Sequence, residues 1–137
     1  MSGSNLTDAN LLGAVMTGAD LKGARLSEAN LSGANLSGAD LTNTKLFGAD
    51  LSRAILFQAR LVATNLGNAN LSDANLEFAD LEGASLLNTN LRGTNLGGAN
   101  LTNAALAGAT YDGKTIFTTG FDPAAAGMIT HDNVDSP

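Results

Sequence analysis

Leucine recurs at every fifth position from Leu6 to Leu106, with Met16 the one substitute among 21 positions. No regular element wants that period. Five residues advance an α-helix by about 500°, so successive leucines land about 140° apart and form no stripe. In a strand, side chains alternate with period two, so an odd spacing throws successive leucines to opposite faces. The chain must therefore be re-aimed once per repeat.

Call each leucine position i. The positions two residues before the next i, from Ala9 to Ala109, are all alanine or threonine, the threonines being Thr44, Thr64, Thr89 and Thr94. In an extended segment i−2 and i point the same way, so alanine and leucine face a common interior and i−1, mostly Asn or Asp, points out. Positions i+1 and i+2 are rich in Ser, Thr, Gly and Asn, the chemistry of turns. Each repeat reads as a short extended side followed by a corner. Four corners of about 90° close a square, and successive coils stack at roughly 4.8 Å, giving a rod about 25 Å long.

The pattern A(D/N)LXX, as in Ala19-Asp20-Leu21 and Ala69-Asn70-Leu71, resembles that of the pentapeptide-repeat proteins over roughly residues 4–111. The resemblance implies an all-β fold, a right-handed quadrilateral β-helix (a solenoid) of about five coils of 20 residues. Residues 20 apart then share a column. Leu21, Leu41, Leu61, Leu81 and Leu101 form one interior ladder, and Thr44 and Thr64 are neighbours whose buried hydroxyls need a partner, either each other or a backbone carbonyl.

After Leu106 the pattern degrades. Tyr111, Ile116 and Phe121 keep the five-residue phase while Lys114 and Thr119 take the alanine positions, so larger side chains are expected to plug the end of the rod. In FDPAAAGM, Asp122 suits an N-cap, Pro123 the first helical position and Gly127 a stop, which predicts a short helix near 122–127 as a C-terminal cap. The segment GKTIFTTGFDPAAAGM resembles the tails of cyanobacterial pentapeptide-repeat proteins. The expected organisation is a repeat domain over 1–111, a cap over 112–128 and a flexible polar tail over 129–137. Repeats begin near Leu6, so the first coil must be covered by the initial residues or by another molecule.

Composition narrows the function. The chain of 137 residues carries a formal net charge of −6, which argues against direct nucleic-acid binding. It has no cysteine, which removes disulfides and thiolate metal sites. No apolar run approaches the roughly 18 residues of a membrane span, so no membrane partner is expected. The opening MSGSNLTDAN has neither basic n-region nor apolar core, which sets the expectation of a cytoplasmic protein. His131 is the only histidine and lies with Asp132 and Asp135 in the polar tail, a poor metal site. No nucleophile–base pair can be assembled. The expectation is no catalytic residue, no cofactor and no metal.

Function must then lie on the outer faces. The column Asp20, Asp40, Arg60, Asp80, Asn100, with Glu82 beside it, is the most acidic. Arg60 relieves like-charge repulsion within it. The family resemblance implies a second reading, because some pentapeptide-repeat proteins bind DNA gyrase or topoisomerase IV by imitating the phosphate row of DNA. The least regular stretch, residues 45–62, replaces small exterior residues with larger ones. Ile55 and Phe57 flank Leu56 on one face, Phe78 lies one coil on, Val15 shares the column of Ile55, and Arg53 and Arg60 lie beside them. Such a patch marks association. Sequence drift, a homodimer and an unknown protein partner each account for it. Phe47 and Leu87 form a second apolar column across Gly67.

Overall fold

The computed structural model describes residues 1–130. Every fifth residue from Asn5 to Asn90 pairs in parallel with the residue 20 further on, and Asn95 with Ile116, which sorts the outward positions into four columns. The first side is Asn5, Arg25, Lys45, Asn65, Ser85 and Ala105; the second is Asn10, Asn30, Asp50, Asn70, Asn90 and Thr110. The third is Val15, Asn35, Ile55, Asn75, Asn95 and Ile116; the fourth is Asp20, Asp40, Arg60, Asp80 and Asn100. The chain is thus a β-helical solenoid in which each side holds one bridge residue per turn.

The backbone explains the five-residue step. At Leu31 the N–H donates to the Asp50 carbonyl at 2.7 Å, and two residues later the Gly33 N–H donates to Ser52 at 2.9 Å, both in the next coil. The corner closes when the Ala34 N–H returns to the Leu31 carbonyl at 3.0 Å. Position i+2 has positive φ at every corner from Gly3 to Gly108, held by eleven glycines and eleven other residues. That left-handed residue swings the chain toward the next side.

The Asn or Asp at i−1 is more than an outward polar residue. Its Oδ1 accepts the N–H two residues on, as from Asn30 to Ser32 at 3.1 Å and from Asp50 to Ser52 at 3.0 Å. This Asx turn satisfies a corner donor that the coil-to-coil bonds leave over.

Inside, the leucines from Leu21 to Leu96 are fully buried, each worth about 1.5–3 kcal/mol of transfer free energy. Leu6, Leu11 and Leu101, nearer the ends, are half-buried. The interior threonines resolve onto carbonyls rather than onto each other: Thr44 donates to Leu21 at 3.2 Å and Thr64 to Leu41 at 2.8 Å. Residues 1–4 continue the coil pattern, with Gly3 N–H donating to Lys22.

The C-terminal end departs from the expected phase. One residue is inserted after Tyr111, so Ile116 pairs with Asn95 at a separation of 21 and lies on the outside, 53% exposed. Thr115, not Lys114, takes the alanine position, its hydroxyl reaching the Leu91 carbonyl at 2.9 Å. Phe117 packs against the core instead of Ile116, between Tyr111 at 5.5 Å and Phe121 at 5.2 Å between ring centroids. The cause is the Asp112-Gly113 turn, in which Asp112 Oδ1 accepts the Lys114 N–H at 3.0 Å and the Gly93 N–H at 3.1 Å.

The expected helix over 122–127 is a single turn. Asp122 Oδ1 accepts the Ala125 N–H at 3.2 Å and its carbonyl the Ala126 N–H at 3.2 Å, but Gly127 then turns at φ 80 and donates to Ala124. So short a run cannot propagate a helix. Instead Met128 is buried and β2 (Ile129–Thr130) pairs in parallel with β1 (Thr110–Tyr111). Ile129 and Thr130, expected in the tail, therefore belong to the closing coil. The remainder of that tail, with His131, Asp132 and Asp135, lies outside the described residues.

Candidate interaction surface

The structure sorts the candidate residues by side. Ile55 sits mid-side on the third side, 39% exposed, and Phe57 begins the corner beside it. Phe78 occupies the same corner one coil on, 57% exposed, and the two rings meet edge to face with centroids 5.9 Å apart. Phe78 holds φ at 59 and its ring lies over Gly98, where a Cβ would collide with it. Gln58 at φ 57 and Arg53 at φ 58 are the other corner residues of this region. Left-handed Arg, Gln and Phe are costly compared with Gly or Asn, by about 1–2 kcal/mol each, so three unfavourable corners gather around one patch.

Val15 is on the same side, 81% exposed, but Asn35 separates it from Ile55. Val15 is therefore not part of a contiguous patch with Ile55 and Phe57. Ile116 joins this side at its far end, a placement that counting in fives misses; the Asp112-Gly113 turn dipeptide is the signal that could have found it. Arg53 stands at the corner before Ile55 and reaches back to Ser32 Oγ at 3.4 Å. Arg60 is on the fourth side, exposed, between Asp40 and Asp80.

The acidic ladder is less free than its sequence suggests. Asp20, Asp40 and Asp80 each spend Oδ1 on a backbone N–H of their own turn, from Lys22, Thr42 and Glu82. Lys22 Nζ lies 3.7 Å from Asp20 and 3.9 Å from Asp40, and these are the ion pairs among the described residues. The Thr42 hydroxyl, 2.6 Å from Asp40, is the main force holding that carboxyl below its ordinary pKa. Burial opposes it, while the Thr42 N–H, Arg60 and Lys22 assist. Asp80 also accepts from the Asn100 amide at 3.1 Å, and Glu82 is exposed.

On the first side, the column of Phe47, Gly67 and Leu87 forms an open groove of about 330 Å³, edged by Asn65, Asn68 and Asn88. The Phe47 ring lies against Gly67, whose missing side chain makes the room. Within the described residues no group of three His, Cys, Asp or Glu is placed to hold a metal ion. Among the described residues no helix is long and apolar enough to cross a membrane.

Four columns of period-five bridges around a leucine core define a solenoid repeat protein. The sequence pattern known as pentapeptide repeats matches residues 1–33, 24–62, 34–73 and 69–108, and the chain belongs to the pentapeptide-repeat family. A comparison with curated proteins returns no match. Among solved structures it is similar to HetL, a pentapeptide repeat protein involved in heterocyst differentiation regulation from the cyanobacterium Nostoc sp. strain PCC 7120. HetL is 32% identical, with a TM-score of 0.62, the match covering 93% of this chain and 64% of HetL. It is also similar to alr5209, a pentapeptide repeat protein from Nostoc PCC 7120, at 36% identity and TM-score 0.37, covering 92% of this chain and 84% of that one. QnrB1, a plasmid-mediated fluoroquinolone resistance protein, matches at 16% identity and TM-score 0.48, covering 98% and 92%.

Proposed function

We propose that this chain is a non-catalytic scaffold, a right-handed solenoid acting in the cytoplasm, that binds protein through a lateral face. The observation that carries the reading is the cluster of Ile55, Phe57 and Phe78, gathered at one corner with the two rings in contact on a mostly polar exterior. Exposed aromatic residues in one place mark contact sites, and the strained corners that present them support selection for that surface. The similarity to HetL, a protein involved in regulation, supports a role in control rather than chemistry. The test immobilises the wild type and an Ile55→Ser, Phe57→Ser, Phe78→Ser variant. A captured protein, purified, should bind the wild type and lose binding to the variant while the variant keeps its melting temperature. Equal binding to both sinks the reading.

The column of Asp20, Asp40 and Asp80 supports a second reading, imitation of DNA toward gyrase or topoisomerase IV. Lys22 and Arg60 weigh against it by neutralising the row. The Asp20→Asn, Asp40→Asn, Asp80→Asn variant separates charge from fold, since asparagine keeps the Asx acceptor. Inhibition of supercoiling by the wild type, lost in this variant, is the expected result of that reading; uninhibited supercoiling at excess protein removes it.

A further inference from the structure

The third side differs from the other three in charge and in symmetry. Its column of Val15, Asn35, Ile55, Asn75, Asn95 and Ile116 has no charged residue, whereas each other column has at least one. Three of its six members are exposed apolar residues: Val15, Ile55 and Ile116. The centre of this column falls between Ile55 and Asn75, between the third and fourth coils counted from Asn5. The charge changes sign at that centre: Arg53 stands at the corner of the third coil and Asp73 at the same corner of the fourth.

Arg53 and Asp73 do not pair with each other within the chain. Their ends point apart. The Arg53 guanidinium reaches back to Ser32 in the second coil, and the Asp73 carboxylate lies over Gly93 in the fifth. A twofold axis lying in the third side, across the rod at its centre, turns a second copy antiparallel and keeps each corner over its own counterpart. Second and fifth coils then face each other, as do third and fourth, and first and last. The Arg53 guanidinium meets the Asp73 carboxylate of the other copy at two symmetric places. By backbone position Phe57, in the third coil, faces Glu77 of the other copy and Phe78, in the fourth, faces Gln58, so the aromatic cluster of each copy lies beside the axis. Val15 meets Ile116 at both ends, and Asn35 meets Asn95. Overlap is complete because the axis sits at the middle of the column.

From this self-complementarity we infer that the third side is a homodimer interface, occupied by a second copy of the chain packed antiparallel. The chain exposes 6303 Å² in all, so one of four sides, even with the ends discounted, can supply the roughly 800 Å² per partner that a stable interface requires. An interface of this kind is isologous, and a single patch that is its own complement is what a twofold demands. The inference deepens the scaffold reading by naming the occupant of its patch. The two fail separately: a monomeric wild type leaves the patch open to another protein, and an absence of captured proteins leaves the dimer untouched.

The test is solution mass by light scattering across a concentration series. The wild type should be a dimer. Arg53→Asp alone, or Asp73→Arg alone, sets like charges opposite each other at both places and should weaken dimerisation about tenfold or more. The double variant Arg53→Asp, Asp73→Arg restores both pairs and should restore the dimer. A monomeric wild type overturns the proposal, as does a dimer indifferent to both single changes, or a folded double variant that stays monomeric. A second measurement needs no charge reversal. The chain has no cysteine, so Asn35→Cys and Asn95→Cys chains should form a disulfide when mixed and not when alone. Cross-linking of either variant alone indicates parallel packing and also overturns the arrangement.

Discussion

The coils from Leu21 to Leu96 and the closing segment from Gly108 to Thr130 solve the same problem by different means. In the body every leucine is fully buried and each coil repeats the hydrogen bonds of the last. At the C-terminal end the chain adds a residue, replaces leucine with Tyr111, Phe117 and Phe121, and closes with β2 over β1. Periodicity is enforced where a coil has neighbours on both sides. Where one neighbour is missing, an interior position is no longer covered, and larger rings with a sideways slip do the covering. This is the capping logic of repeat proteins.

The largest effect should separate buried from terminal leucines. Leu56 and Leu61 sit mid-rod with no exposure, so Leu56→Ala or Leu61→Ala leaves a cavity that rigid neighbours cannot collapse and should cost about 2–5 kcal/mol. Leu101, half-buried under the closing segment, should cost clearly less on the same change. Chemical denaturation of the variants checks the order. Equal losses would mean that the closing segment packs as tightly as the body.

This contrast marks what the sequence made legible. The interior ladder is readable because a two-residue offset between alanine and leucine, kept over many repeats, leaves one geometry. The Asx turns are not readable from polarity: an outward asparagine looks like a solvated residue until its Oδ1 is placed against the next corner. The slip after Tyr111 is hidden because Ile116 and Phe121 happen to preserve the count of five, and a count of five cannot see an insertion that a later segment absorbs. The apolar patch is visible as residue types, but its full extent is not. Val15 and Ile55 share a column with Asn35 between them, and the stacking adds Ile116 at its far end.

A smaller effect sharpens the comparison among corners of the body itself. Ala63 holds φ at 57, and its N–H donates to the Glu82 carbonyl at 2.9 Å. Gly83, one coil on at the same corner, holds φ at 68. Alanine pays the left-handed penalty that glycine avoids, while glycine loses more backbone entropy on folding. The balance favours Ala63→Gly by about 0.5–1 kcal/mol. The reverse change at Gly83 should destabilise by a similar amount, since a Cβ there meets open space and only φ opposes it. Calorimetric melting of the two variants in parallel decides whether corner strain in the third coil is real.

The smallest effect is local and belongs to the slip. In the body the N–H at i+2 donates to a carbonyl of the next coil, as Gly33 does to Ser52. At Gly93 the acceptor is instead the Asp112 carboxylate. Partial burial pushes the Asp112 pKa up, but the N–H groups of Lys114 and Gly93 and the Thr115 hydroxyl and N–H outweigh it, and the net shift is below the ordinary 3.8. A carboxyl depressed in the folded state stabilises it fully above its unfolded pKa, and that contribution fades as pH falls through the folded value. The window therefore lies below 3.8. Amide exchange at Gly93 should accelerate there relative to Gly33, whose acceptor does not titrate. In Asp112→Asn the Oδ1 acceptor stays and the titration goes, so the difference between Gly93 and Gly33 should become independent of pH. A Gly93 amide that still loosens in acid in this variant would place the titrating group elsewhere and separate the closing turn from Asp112.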